Sequence, residues 1–137
     1  MEETIQSNGI TIVNDEFISL TEDLTLLGRV DMTIESRKAG SSLANPYPAS
    51  YLLVADHEPF EFGSGGVPNV DLQISGHTHA GQLFPLDLFY RFAVPTYGEY
   101  HDGNSTLYVS AGASGWRAPL RTVVGCQFDV ITLKPAA

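Results

Sequence analysis

Apolar residues recur along the chain in short clusters separated by Gly, Pro, Asn and Asp, and helical spacing is scarce. The pattern predicts strands. Residues 2–7 read as the last turns of a helix stopped by Asn8-Gly9, a pair suited to a left-handed helix end. Residues 10–13, 17–20 and 24–27 read as three successive strands of a meander, with turns at Asn14-Asp15 and Thr21-Glu22-Asp23. Residues 36–48 are small and polar and predict a loop or a short, poorly packed helix. Two nearly continuous apolar runs follow, 50–55 and 70–75, as expected of strands covered on both faces. Residues 83–92 gather Leu83, Phe84, Leu86, Leu88, Phe89 and Phe92 around Pro85 and predict a short helix or covering loop. A hairpin of 97–101 and 106–110 around Asp102-Gly103-Asn104, a Gly-rich loop and a last strand near 127–133 complete the chain.

Composition narrows the function classes. A chain of 137 residues that is 43% hydrophobic suits one soluble domain with a core. Seven Lys and Arg against sixteen Asp and Glu give a net charge of −9, which repels nucleic acid and anionic membranes, so no nucleic-acid partner is expected. The single cysteine, Cys126, excludes an internal disulfide framework and a thiolate metal cage; within the apolar run from Val123 to Phe128 it reads as a small core residue. The longest apolar stretch, Tyr51-Leu52-Leu53-Val54-Ala55, is far short of the roughly 20 residues of a membrane-spanning helix, and the acidic first residues do not form a secretory signal.

Chemistry concentrates in Ser75-Gly76-His77-Thr78-His79-Ala80-Gly81-Gln82, which follows an apolar strand directly. Neutral imidazole is a common ligand for zinc, manganese and iron, and a Gly-flanked turn on a strand end can aim two rings from one base. His57, in Ala55-Asp56-His57-Glu58-Pro59, sits where the other apolar strand ends. If the two strands are parallel neighbours, three imidazoles share one rim, where open α/β sheets gather ligands. The competing reading makes His57 a structural histidine bonded to a loop carbonyl. His101, beside the hairpin tip, reads as an exposed turn residue.

Four blocks carry a resemblance. Leu52-Leu53-Val54-Ala55-Asp56-His57-Glu58-Pro59, Val70-Asp71-Leu72-Gln73-Ile74-Ser75, Gly76-His77-Thr78-His79-Ala80-Gly81-Gln82-Leu83-Phe84-Pro85 and Tyr108-Val109-Ser110-Ala111-Gly112-Ala113-Ser114-Gly115-Trp116 resemble, in order, the calcineurin-like metallophosphoesterases, and among them the bacterial YkuE/YaeI-like branch. The resemblance implies an α/β fold, β-rich in this chain: the carboxyl-terminal part of a four-layer αββα sandwich, with residues 1–137 one portion of a single domain. It also implies a centre of two divalent ions (manganese, iron or zinc) that bind phosphate oxygens and activate the attacking water. Matched to its motifs, His57 and His77 ligate one ion and His79 the other. Asp56 either orients a ligand or is a surface or capping carboxylate. Arg121 is assigned to substrate phosphate, with a structural ion pair as the competing role.

The departures set limits. The family's Asp-x-His, Gly-Asp-x-x-Asp and Gly-Asn-His-Asp or Gly-Asn-His-Glu motifs do not occur in the 137 residues, which leaves a partial site here. Ala80 stands where the family often has Gly or Arg, and Arg117 where this branch usually has Gly. The leading expectation is thus a metal-dependent phosphoesterase that hydrolyses a phosphomonoester or a phosphodiester, on a small phosphate ester or a phospholipid-type substrate, and is inactive as this piece alone. Its open strand edges predict self-association, and an upstream segment could tie the complete protein to a membrane or the cell envelope. The alternatives are a non-catalytic module that binds a metal or a partner, and a plain β-rich domain whose histidines only satisfy hydrogen bonds.

Overall fold

The computed structural model describes residues 2–117 and 120–134. After a short helix α1 (Glu2–Ser7), strands β1 (Glu16–Thr21) and β2 (Leu24–Gly28) form an antiparallel hairpin. β3 (Tyr51–Ala55), β4 (Leu72–Ser75) and, beyond α2 (Leu86–Ala93) and β5 (Gly98–Asp102), β6 (Ser105–Val109) complete one mixed sheet of six strands in the order β1-β2-β3-β4-β6-β5. β2, β3, β4 and β6 run parallel, and β5 returns antiparallel on β6. The class is α/β with few helices, as expected.

The register places Phe17, Leu27, Val54, Gln73 and Leu107 side by side across five strands. Leu27, Val54 and Leu107 are fully buried, and Leu43, Val67 and Val70 from the connecting loops pack over Leu27, Leu52 and Val54. Burial of each such side chain contributes about 2 kcal/mol. Gly40 lets the 40–43 turn approach this cover, since a Cβ there would lie 3.0 Å from the Val67 nitrogen. The other face differs from the expectation of two-sided cover: Leu26, Leu53, Ile74 and Tyr108 are only half-buried and Ala55 is exposed.

Two expected strands are absent among the described residues, each for a local reason. Residues 10–13 cross Gly28, where a Cβ would fall 2.7 Å from the Val13 oxygen, so they pass over the sheet without pairing and the meander reduces to a hairpin. Residues 127–133 have no place in the sheet beside β6, because β4 and β5 already flank that strand. Side chains tie the segment down instead: Tyr108 Oη and Ser110 Oγ donate to Asp129 at 2.7 and 2.5 Å. Cys126, directly before this stretch, is exposed and not part of the core. Among the described residues no helix is long and apolar enough to cross a membrane.

Candidate metal centre

β3 and β4 are parallel neighbours, and their pairing continues past the strand ends. Asp56 N donates to Ile74 O at 3.1 Å and Gly76 N donates to His57 O at 3.0 Å. This continuation brings the residues that follow each strand to one rim. The His57 and His77 rings meet edge to face, 5.0 Å between centroids, and the Phe60 ring stands edge-on to His77 at 5.6 Å. Glu58, only 3% exposed, adds a carboxylate, so that one ligand atom from each of His57, Glu58 and His77 lies within 4.8 Å of the others. Ligand bonds of roughly 2.2 Å put donors on opposite sides of an ion about 4.4 Å apart, so a few tenths of an ångström of side-chain movement would close these three on one cation. Two imidazoles and a carboxylate suit manganese, iron or zinc.

Glu58 was not singled out from the sequence. The available signal was its position directly after His57 on the same rim; its burial is a property of the fold alone. Asp31 borders a pocket that His57, Glu58 and His77 also line. Hydrogen bonds from the Thr33 hydroxyl and N–H, at 2.5 and 2.8 Å, hold its carboxyl below the usual aspartate value.

His79 lines the same pocket but is not one of the three clustered donors. It belongs to a loop of unusual backbone: His77, His79, Ala80 and Gln82 have φ of +67°, +50°, +54° and +48°. Each left-handed non-glycine costs about 1 kcal/mol or more and persists only where the surroundings enforce it. Here they do. Thr78 Oγ1 donates to Thr96 O at 2.5 Å, Thr122 N to Gln82 O at 2.9 Å, and the Gln82 amide exchanges hydrogen bonds with the Trp116 backbone at 2.6 and 3.1 Å. His79 Nδ1 is 3.0 Å from Ser114 O; a carbonyl only accepts, so Nδ1 carries the proton and Nε2 is left as the ligating atom.

Arg121 sits behind this loop. Its Nη1 donates to Gly112 O and Ser114 O at 2.9 and 3.1 Å, and its Nη2 to His79 O and Ala111 O at 3.0 and 2.6 Å. One guanidinium therefore joins the histidine loop to the segment that follows β6. Asp56 is likewise engaged: Arg37 Nη2 donates to it at 2.6 Å, and Arg29 Nε lies 3.8 Å away. Arg29 also pairs with Asp15 and with Glu61 at 2.6 Å, and Arg37 with Glu61 at 2.7 Å, which makes a largely buried cluster of five charged side chains under the β3 end. Asp56 thus anchors the backbone that carries His57. His101, on β5, is exposed and faces Glu99 at 3.1 Å.

Known proteins match parts of the chain. An uncharacterized metallophosphoesterase of Helicobacter pylori strain J99 is 44% identical over 70 residues, 49% of this chain and 19% of its own. One from Campylobacter jejuni is 36% identical over 92 residues, 66% of this chain and 24% of its own. The chain is a relative of the metallophosphoesterases. It is also similar to the uncharacterized metallophosphoesterase YkuE of Bacillus subtilis, 38% identical over 91 residues, 62% of this chain and 31% of that protein. The chain thus spans between about a fifth and a third of the length of these relatives. No protein-family model and no solved structure matches it.

Proposed function

We propose that the chain forms the carboxyl-terminal portion of a single metallophosphoesterase domain and supplies part of a dinuclear centre that hydrolyses a phosphate ester. The observation that carries this reading is the meeting of His57, Glu58 and His77 donor atoms within 4.8 Å at adjacent strand ends, beside a pocket that His79 also lines. When bound, divalent ions would supply positive charge for the phosphate oxygens and for the attacking water. His57, Glu58 and His77 hold one ion; His79, with Nδ1 committed to Ser114, offers Nε2 to the second. The remaining ligands come from the family's motifs that these 137 residues lack. Arg121 supports the site by holding the His79 loop. A direct contact with substrate phosphate, which the family resemblance implies, requires it to exchange one of its four carbonyls for a phosphate oxygen.

The test is hydrolysis of an aryl phosphate and an aryl phosphodiester with manganese, zinc or iron added, by this chain and by a longer protein carrying the family's upstream motifs. Turnover in the longer protein, lost in His77→Ala, supports the reading; metal binding without turnover in either would favour a non-catalytic metal-binding module. Absence of both binding and turnover refutes the metal centre.

A further inference from the structure

An ordinary surface helix buries its apolar stripe and exposes its charges. α2 is inverted. Its buried residue is Asp87, 6% exposed, seated against Gly81 so closely that a Cβ on that glycine would lie 2.4 Å from the Asp87 Cα. Its aromatic residues face outward: Phe89 is 71% exposed and Phe92 92%. The helix borders the pocket of the metal centre, a cavity of about 520 Å³. The cavity is lined by His57, Glu58 and His77 and also by the apolar side chains of Leu83, Leu86, Tyr90, Val94 and Trp116. Phe84, Leu88, Phe89 and Phe92 are exposed as well, and Phe89 neighbours the wall residue Leu86 on the helix surface. No Lys or Arg is among the described residues that line the cavity, although Arg117 stacks on the Trp116 ring at 4.7 Å.

We infer that the substrate of this site is an amphiphile: a phosphate ester whose alkyl or acyl chain lies along α2 while its phosphate faces the metal ligands. This rests on the phosphoesterase reading above. An eight-residue helix is about 12 Å long, so the track accommodates a chain rather than a small aryl group alone. The net charge of −9 disfavours recruitment to an anionic bilayer, which points to ligand chains taken up singly or from neutral micelles.

The experiment compares butyl, octyl and dodecyl phosphate, below their micellar concentrations, with the full-length, manganese-loaded protein. Two readouts are followed: hydrolysis, and the emission of Trp116, the one tryptophan of these 137 residues, taken as the difference from Trp116→Phe; it is 63% exposed and on the cavity wall. Each fully buried methylene favours binding by up to about fourfold, so even partial burial of four of them gives octyl phosphate at least a tenfold advantage over butyl phosphate. Its binding should shift Trp116 emission to the blue. The double variant Leu86→Ser/Tyr90→Ser, on the cavity wall, should reduce the advantage of octyl over butyl phosphate by severalfold. Equal binding of all three chains overturns the inference even if each is hydrolysed, and then the phosphoesterase reading survives alone. Chain-dependent binding without hydrolysis of any ester supports the apolar track and refutes the activity. A dimer that the double variant dissolves, with no dependence on chain length, would assign the face to a second copy and overturn the proposal.

Discussion

Replacing Arg121 by Ala should loosen the histidine loop more than its partly exposed position suggests. The side chain donates to four backbone carbonyls, those of His79, Ala111, Gly112 and Ser114. The Ser114 bond is exposed and water can replace it, whereas the other three are partly buried. A charge-assisted hydrogen bond contributes about 1.5–3 kcal/mol, and partial rehydration of the carbonyls reduces this to about 1 kcal/mol each, or about 3 kcal/mol for the three. For a chain of this size that corresponds to a fall in Tm of about 9 °C. Arg121→Lys should recover little, because an ammonium group has three donors and no planar fork. The control is Arg117→Ala: the guanidinium stacks on the Trp116 ring at 4.7 Å, and its removal should cost under about 1 kcal/mol. Thermal unfolding by circular dichroism, at low ionic strength and without phosphate, provides the measurement. If Arg121→Ala melts within about 2 °C of the parent, the clamp does not hold the loop, and a role in binding phosphate becomes the better account of this residue.

His57→Ala and His77→Ala should each weaken binding of manganese or zinc by tenfold or more in calorimetric titration, with little change in the apo melting temperature because both rings are exposed. Gly81→Ala should destabilise the fold by about 2 kcal/mol or more, since φ there is +77° and the new Cβ would collide with Asp87; an unchanged melt would contradict the close approach. Glu61 gives a pH dependence. Burial works against its charge, but hydrogen bonds from Arg37 and Arg29 outweigh this and hold its carboxyl below the ordinary glutamate value. The unfolded chain therefore takes up this proton first as pH falls. The contribution of Glu61 is complete at neutral pH and is lost from about pH 4.5 downward through its folded-state value, so Glu61→Gln should flatten the acid limb of the stability curve. Arg37→Met with Asp56→Leu should leave the melting temperature within a few degrees of the parent yet reduce metal affinity, if the cluster serves to place His57.

How much of this was legible in the sequence follows from what each feature depends on. β3 and β4 were visible because their apolar runs are bounded by polar segments, and the histidines after them marked the rim. The 98–109 hairpin was visible from Asp102-Gly103-Asn104. Residues 10–13 and 127–133 have the same local pattern as strands, and only the sheet decides that one crosses Gly28 and that the other finds β6 flanked on both sides. The core reading of Cys126 failed for a related reason: apolar neighbours in sequence bury a thiol only when the segment itself enters the core. Glu58 was hidden because nothing local distinguishes a buried carboxylate from a solvated one. Arg29, Arg37 and Glu61 are scattered over 33 positions and meet only through tertiary packing.

The two histidine-bearing ends of the sheet are held by polar contacts rather than by the apolar core. Under β3, two arginines and three carboxylates fix the residue before His57; beyond β4, Gln82, Thr78 and Arg121 hold a loop with four left-handed non-glycine residues. A buried charge cluster is weak support for stability, because desolvation offsets much of its attraction and apolar residues of similar shape often serve as well. Hydrogen bonds are directional, however, and apolar packing is not: a guanidinium that must satisfy several oxygens at once leaves the backbone little freedom to shift. That distinction explains why the polar groups collect where they do. The hydrophobic face of the sheet sets the register of β3 against β4, which brings two chain segments to one rim. The charged clamps then restrict each segment to the conformation in which His57, Glu58 and His77 converge, including torsions the chain would abandon if left free. At the β3 end stability and site geometry therefore rest on different residues, whereas Arg121 beyond β4 serves both, and substitutions should tell the two cases apart.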